Sequence, residues 1–102
     1  MAEVVWTKPA LDDLNEIAEY IALDKVSAAQ KLVEKVFSAV ERLEQFPESG
    51  RYPPELNTPS RYREIVVNPC RIFYRCEDDT VFIVYVMRGE RLLRNYLLDE
   101  RS

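Results

Sequence analysis

The spacing of apolar positions changes period along the chain, and each change marks a different kind of element. Glu3-Val4-Val5-Trp6 is short, β-branched and aromatic, which predicts a strand. Leu11, Leu14, Ile17, Ala18 and Ile21 then recur at helical spacing, predicting an amphipathic helix over about residues 8–23. Thr7 is its expected cap, Pro9 is tolerated in the first turn, and Asp12 and Asp13 are expected near the positive end. The link Asp24-Lys25-Val26 leads to Ser27, a second expected cap. Ala29, Leu32, Val33, Val36, Val40, Leu43 and Phe46 form a second apolar stripe, with Lys31, Glu34, Lys35, Glu41, Arg42 and Glu44 elsewhere around the helix. So short a link admits only two neighbouring, roughly antiparallel helices.

Phe46-Pro47-Glu48-Ser49-Gly50-Arg51 ends the second helix, and Pro53, Pro54 and Pro59 keep the chain irregular until about Ser60. Three strand-like runs follow, Tyr62 to Asn68, Arg71 to Cys76 and Thr80 to Met87. Asn68-Pro69 and Glu77-Asp78-Asp79 separate them at hairpin length, which predicts an antiparallel meander. The last run is apolar on both faces and is expected to be central. Arg88-Gly89-Glu90-Arg91 breaks it, and Leu92, Leu93, Tyr96 and Leu97 mark a short amphipathic tail. The predicted order is β-α-α-β-β-β with a C-terminal helical tail: an α+β fold with a two-helix hairpin on one face of a mostly antiparallel sheet. At 102 residues the whole chain, 1–102, is expected to be one domain.

Composition narrows the functional classes. The net charge is −4, from 18 acidic and 14 basic residues, which argues against direct binding of free DNA, because such affinity comes largely from neutralised phosphates. Cys70 and Cys76, if on one strand, stand about 20 Å apart, whereas a disulfide needs Cα atoms within about 7 Å. With no histidine and no CxxC pair, neither a metal site nor a cofactor is expected, and the two thiols read as inert strand residues. Met1-Ala2-Glu3-Val4 is not a basic leader, and no run approaches a membrane span. The expectation is a cytoplasmic protein with reduced thiols.

Four segments in this order resemble the RelE/ParE superfamily of toxins. Trp6-Thr7-Lys8-Pro9-Ala10-Leu11-Asp12-Asp13-Leu14 resembles their opening strand-to-helix junction, and Phe46-Pro47-Glu48-Ser49-Gly50-Arg51 is similar to their "P-x-x-G" helix exit. Tyr62-Arg63-Glu64-Ile65-Val66-Val67 and Arg71-Ile72-Phe73-Tyr74-Arg75 look like their paired "Y-R-x" and "Y-R-I-x-Y" strands. The resemblance implies the toxin of a type II toxin–antitoxin pair, of the plasmid-stabilising, growth-inhibiting kind. It also implies one of two activities. RelE-like members are metal-independent, ribosome-dependent mRNA endonucleases, whereas ParE-like members lack that catalytic set and poison DNA gyrase. Both are held inactive by an antitoxin that wraps an otherwise disordered segment across the toxin.

RNA cleavage by a 2′-hydroxyl needs a base, an acid and cations around one phosphate. Arg63, Arg71 and Arg75 on adjacent strands, with Arg88 and Arg91 after the third, are expected to converge on the exposed sheet face as a basic patch. The competing reading makes Arg63, Arg71 and Arg75 solvated cross-strand partners of Glu64 and Glu77. By the resemblance, Arg63 and Arg71 fall where the nucleases place basic residues. Ile65 stands where they have a lysine, Arg88 and Arg91 bracket Gly89, and Tyr96 lies about one residue from their catalytic tyrosine. The incomplete set favours a non-enzymatic gyrase inhibitor over an mRNA endonuclease, with a toxin fold kept only for partner binding as a third possibility. The expected antitoxin segment is acidic and amphipathic, lies in a groove between hairpin and sheet, and covers Arg71 and Arg88.

Overall fold

The computed structural model of the chain describes residues 1–56, 60–89, 93 and 95–101, with Asn95 and Tyr96 as backbone only. β1 (Glu3–Trp6) leads into α1 (Lys8–Ala22), α2 (Val26–Glu41) and a 3-10 turn over Arg42–Glu44. After the proline-rich connection come β2 (Tyr62–Val67), β3 (Cys70–Glu77) and β4 (Thr80–Arg88), then the short helix α3 (Asn95–Asp99). The sheet has four strands in the order β1-β4-β3-β2. Both hairpins of the expected meander are present, and β1 adds to β4 in parallel, with Glu3 opposite Thr80 and Trp6 opposite Ile83. The fold is therefore α+β, with β4 internal as its apolar composition requires.

The junction between β1 and α1 shows why the order works. Thr7 caps α1 by accepting from the Ala10 amide at 3.4 Å, and its own hydroxyl donates to the Ile83 carbonyl at 2.7 Å. One side chain therefore starts the helix and ties that start to the central strand. Asp12 and Asp13 lie beyond the first turn and play no part at the helix end. Asp12 pairs with Lys8, and Asp13 turns toward the sheet. Ser27 does not cap α2. The first backbone bond of that helix runs from the Ala29 amide to the Lys25 carbonyl, which makes Lys25 the capping position and places Ser27 in the first turn.

Each strand of the meander alternates between two packed layers. On the helix side lie Leu14, Leu32, Val36, Val40, Leu43, Cys70, Ile72, Tyr74, Val81, Ile83 and Val86. On the other face lie Tyr62, Phe73, Val84, Tyr85 and Met87, covered by Leu93 and Leu98 and flanked by Leu56 and Leu97. The sheet thus has no open side at its centre, contrary to the exposed face expected for the arginines. A register shift puts Phe73 opposite Tyr85 and Tyr74 opposite Ile83, so Val84 is the extra residue of a bulge and joins Tyr85 in the second layer. Phe46, expected on the α2 stripe, lies beyond the 3-10 turn and is 61% exposed. Among the described residues no helix is long and apolar enough to cross a membrane.

The chain leaves α2 through Gly50, where the backbone presses against β2 and β3. The Gly50 amide donates to the buried Tyr74 hydroxyl at 2.9 Å. A Cβ at this position would lie 2.5 Å from that hydroxyl and 2.8 Å from the Glu64 carbonyl. The next residue, Arg51, exchanges both backbone hydrogen bonds with Glu64, at 3.0 and 2.8 Å. Gly50→Ala is accordingly expected to destabilise the fold by about 2 kcal/mol through overpacking, read as a lower urea midpoint. An unchanged midpoint would show that the strands can give way here.

Candidate functional site

The bridge between Arg51 and Glu64 sets up a charged cluster on the face of the sheet away from α1 and α2. Glu64 is 1% exposed although it is a carboxylate on an edge strand. Its Oε1 accepts from Arg51 Nε at 2.8 Å and from Arg71 Nη2 at 3.1 Å, and its Oε2 accepts from Arg71 Nε at 2.7 Å. Register brings Arg71 there: it stands opposite Val66, so Glu64 is its diagonal neighbour on the same face. The other edge of the Arg71 guanidinium binds Glu55 in a fork, Nη1 to Oε2 at 2.6 Å and Nη2 to Oε1 at 2.7 Å. Its plane also lies 5.0 Å from the Phe73 ring. The cluster holds two guanidinium groups and two carboxylates, so its charge closes within the protein.

The electrostatics follow from that closure. The Arg71 hydrogen bonds hold the Glu55 carboxyl down at about 2, against an ordinary 4.5 and against the opposing effect of burial. The same bonds, with Glu55 foremost, push Arg71 still further above its usual range. Arg71 is a permanent cation whose fork is already filled with carboxylate.

Arg63, Arg75 and Arg88 do not join it. Arg63 points to the helix side, where it donates to the Gly50 carbonyl at 2.9 Å and the Tyr52 hydroxyl at 3.1 Å and lies 4.4 Å over the Tyr52 ring. Arg75 shares the Arg71 face but pairs with Glu77 at 2.6 Å and stacks 4.4 Å over Phe82. Arg88 lies beside α1, 5.1 Å over the Tyr20 ring. Arg91 and the side chain of Tyr96 lie outside the described residues. The expected convergence is thus replaced by a division of these arginines between the two faces of the sheet. Cross-strand pairing with Glu64 does occur at Arg71, yet in a buried rather than a solvated form. Neither Cys70 nor Cys76 forms a disulfide, and partial desolvation raises the Cys76 pKa. Among the described residues no cluster of potential metal ligands occurs.

Sequence reasoning passed over three members of the charged clusters. Arg51 and Glu55 sit in the proline-rich connection, where no periodicity flags a residue. Arg101, near the C-terminal end, pairs with Asp13 and donates to the Val84 carbonyl at 3.2 Å. The one available signal was Glu64, a carboxylate amid strand residues that must find cations if its face is buried.

Comparison with known proteins places the chain. Residues 4–93 match the family model described as the ParE toxin of the type II toxin–antitoxin system parDE. The chain belongs to the ParE toxin family. It is 38% identical over 92 residues to toxin RelE2 of Caulobacter vibrioides, covering 90% of this chain and all of that protein. It is also 38% identical over 88 residues to the putative toxin Y4kP of Sinorhizobium fredii, covering 84% and 86% of the two chains. A solved structure of the chromosomal ParDE system from P. aeruginosa superposes with a TM-score of 0.72 at 25% identity, covering 88% of this chain and 98% of that one. The chain is thus a RelE/ParE superfamily toxin of a type II system.

The cluster makes a pH prediction whose sign is fixed by the depressed Glu55 pKa. The stabilisation from Glu55 is present above about pH 4.5 and is lost as pH falls toward about 2. Glu55→Gln is therefore expected to be less stable than the native protein at neutral pH, with the gap narrowing between about pH 5 and pH 2. Urea midpoints across that range check it, and a constant gap would contradict it. Glu64→Ala, which strands Arg51 and leaves Arg71 half paired, is expected to cost about 3 kcal/mol.

Proposed function

We propose that this ParE-family toxin acts without catalysis, by binding DNA gyrase, and that a cognate antitoxin holds it inactive. The observation that carries the reading is the state of Arg71. Stabilising a phosphorane needs cations with hydrogen-bonding edges turned toward one phosphate. Here Glu55 and Glu64 occupy both edges of the Arg71 guanidinium, and Arg63 is on the opposite face of the sheet, held by Gly50 and Tyr52. An mRNA endonuclease built on these positions would have to break a buried charge cluster before each turnover. A toxin that works by surface complementarity has no such requirement.

The net charge of −4 points the same way, since approach to ribosomal RNA runs against the field of the whole chain. Gyrase as the target places the toxin in the cytoplasm and accounts for growth inhibition and plasmid stabilisation without a metal or cofactor. Family membership and the ParDE character of the P. aeruginosa relative support an antitoxin as the inhibitory partner.

Two parallel incubations test the reading. Purified toxin with gyrase and supercoiled plasmid is expected to trap cleaved plasmid, and toxin with translating ribosomes is expected to leave mRNA intact. Codon-spaced mRNA cuts without gyrase trapping would reverse the assignment. Neither plasmid trapping nor mRNA cleavage, with cells growing normally when the toxin is expressed without its partner, would reduce the chain to a binding module.

A further inference from the structure

Both faces of the sheet are packed, one under α1 and α2 and the other under the second layer. The apolar surface left to solvent gathers on the helical hairpin instead. Five of the eight large hydrophobic side chains exposed among the described residues, Leu11, Tyr20, Leu23, Val26 and Phe37, belong to α1, α2 or the turn between them. Packing on the sheet uses Ala10, Leu14, Ile17 and Ile21 of α1 and Leu32, Val36 and Val40 of α2. Each helix carries a second apolar stripe beside that one. Leu11, Ala18 and Ala22 recur at helical spacing on α1, and Val26, Val33 and Phe37 do so on α2.

The two stripes meet along the outer side of the hairpin. Ala18, Ala22, Val26 and Val33 line a groove of about 640 Å³ between the helices. At the end away from the turn, Phe37 packs against Trp6 with ring centres 5.0 Å apart. Two carboxylates, Glu19 from α1 and Glu34 from α2, also line the groove, and no cation is among its lining residues. From Leu11 to Leu23 the chain advances about 18 Å, or about three helical turns.

An apolar groove between two helices takes the ridge of a third, and carboxylates at its margin take basic side chains. An extended strand gains less there, because the walls are helices whose backbone is already paired. A second copy of the chain is disfavoured, since its own Glu19 and Glu34 would bring carboxylates against carboxylates. We propose that this groove receives an amphipathic helix of the gyrase target, with its apolar face over Val26 and Val33 and basic residues toward Glu19 and Glu34. The inference rests on the gyrase reading and adds the face, the secondary structure and the charge of what is recognised. Basic surface is what an enzyme that holds DNA must carry, since phosphates require cations.

The probe is purified gyrase with supercoiled plasmid, and the readout is the toxin concentration that gives half-maximal trapping of cleaved plasmid. Glu19→Lys combined with Glu34→Lys is expected to raise that concentration about tenfold or more, and Val26→Asp about fivefold or more. These residues are exposed, and an acid in the first turn of α2 suits the positive helix end, so native urea midpoints are expected. Glu48→Lys, a charge reversal outside the groove, is expected to stay within about twofold. Should a variant prove unstable, amide exchange in the native toxin–gyrase–plasmid complex decides, and it is expected to slow over residues 11–37. Native-like trapping by both groove variants, or protection confined to the sheet, would overturn the docking face while leaving the gyrase reading intact. Loss with Val26→Asp alone would overturn the basic character of the helix, and loss with the charge reversal alone its apolar seat. A native toxin dimer that these substitutions dissociate would assign the groove to a second copy instead. No trapping of cleaved plasmid by the native toxin would overturn the gyrase reading first.

Discussion

A single carboxylate, Glu64, shared by two arginines on a covered sheet face, constrains much of the rest. A charge with 1% exposure survives only if opposite charge and hydrogen bonds reach it. Arg51 and Arg71 supply both, and meeting that demand fixes two distant parts of the chain. Arg51 can reach Glu64 only if the segment leaving α2 runs against β2, which in turn requires Gly50 to pass beneath the Tyr74 hydroxyl. Arg51 and Arg71 together carry one positive charge more than Glu64 can balance, and Glu55 from the proline-rich connection supplies the remaining counter-charge. The connection is thereby fastened over the second packed layer at Leu56.

The functional consequence follows from the same closure. On an acidic protein a row of strand arginines invites a nucleic-acid reading, yet a guanidinium satisfied by two carboxylates offers little to a phosphate. Charge at Arg71 serves the architecture, whereas Arg88 lies apart from it, in a cleft beside the exposed Tyr20 ring. The proposed action through binding surfaces is compatible with this closure, and the chain belongs to the ParE toxin family.

Local pattern sufficed for nearly all of the fold. Helical spacing from Leu11 to Ile21 and from Ala29 to Leu43, the polar breaks, and the three β-rich runs each report on short-range packing, and the elements fall where those patterns put them. The errors came where one residue had two physical options. Ser27 is a good cap by type, but the tight link lets the helix begin earlier, at Val26. Asp13 looks like a helix-start acid, but the unpaired Val86 amide lies within reach. The site was less legible because its members are joined by register and loop path. Whether Arg63 and Arg71 share a face depends on how β2 pairs with β3, and the partner Glu55 lies in a stretch without periodicity.

Nuclear magnetic resonance of the Arg71 side chain in the intact toxin tests the central claim most directly. A guanidinium clamped by Glu55 and Glu64 is predicted to show separate, slowly exchanging Nη protons near neutral pH, unmoved by added inorganic phosphate. Averaged, rapidly exchanging signals that shift with phosphate would mean that Arg71 is open to ligands, contradicting the account of a cation committed to the fold.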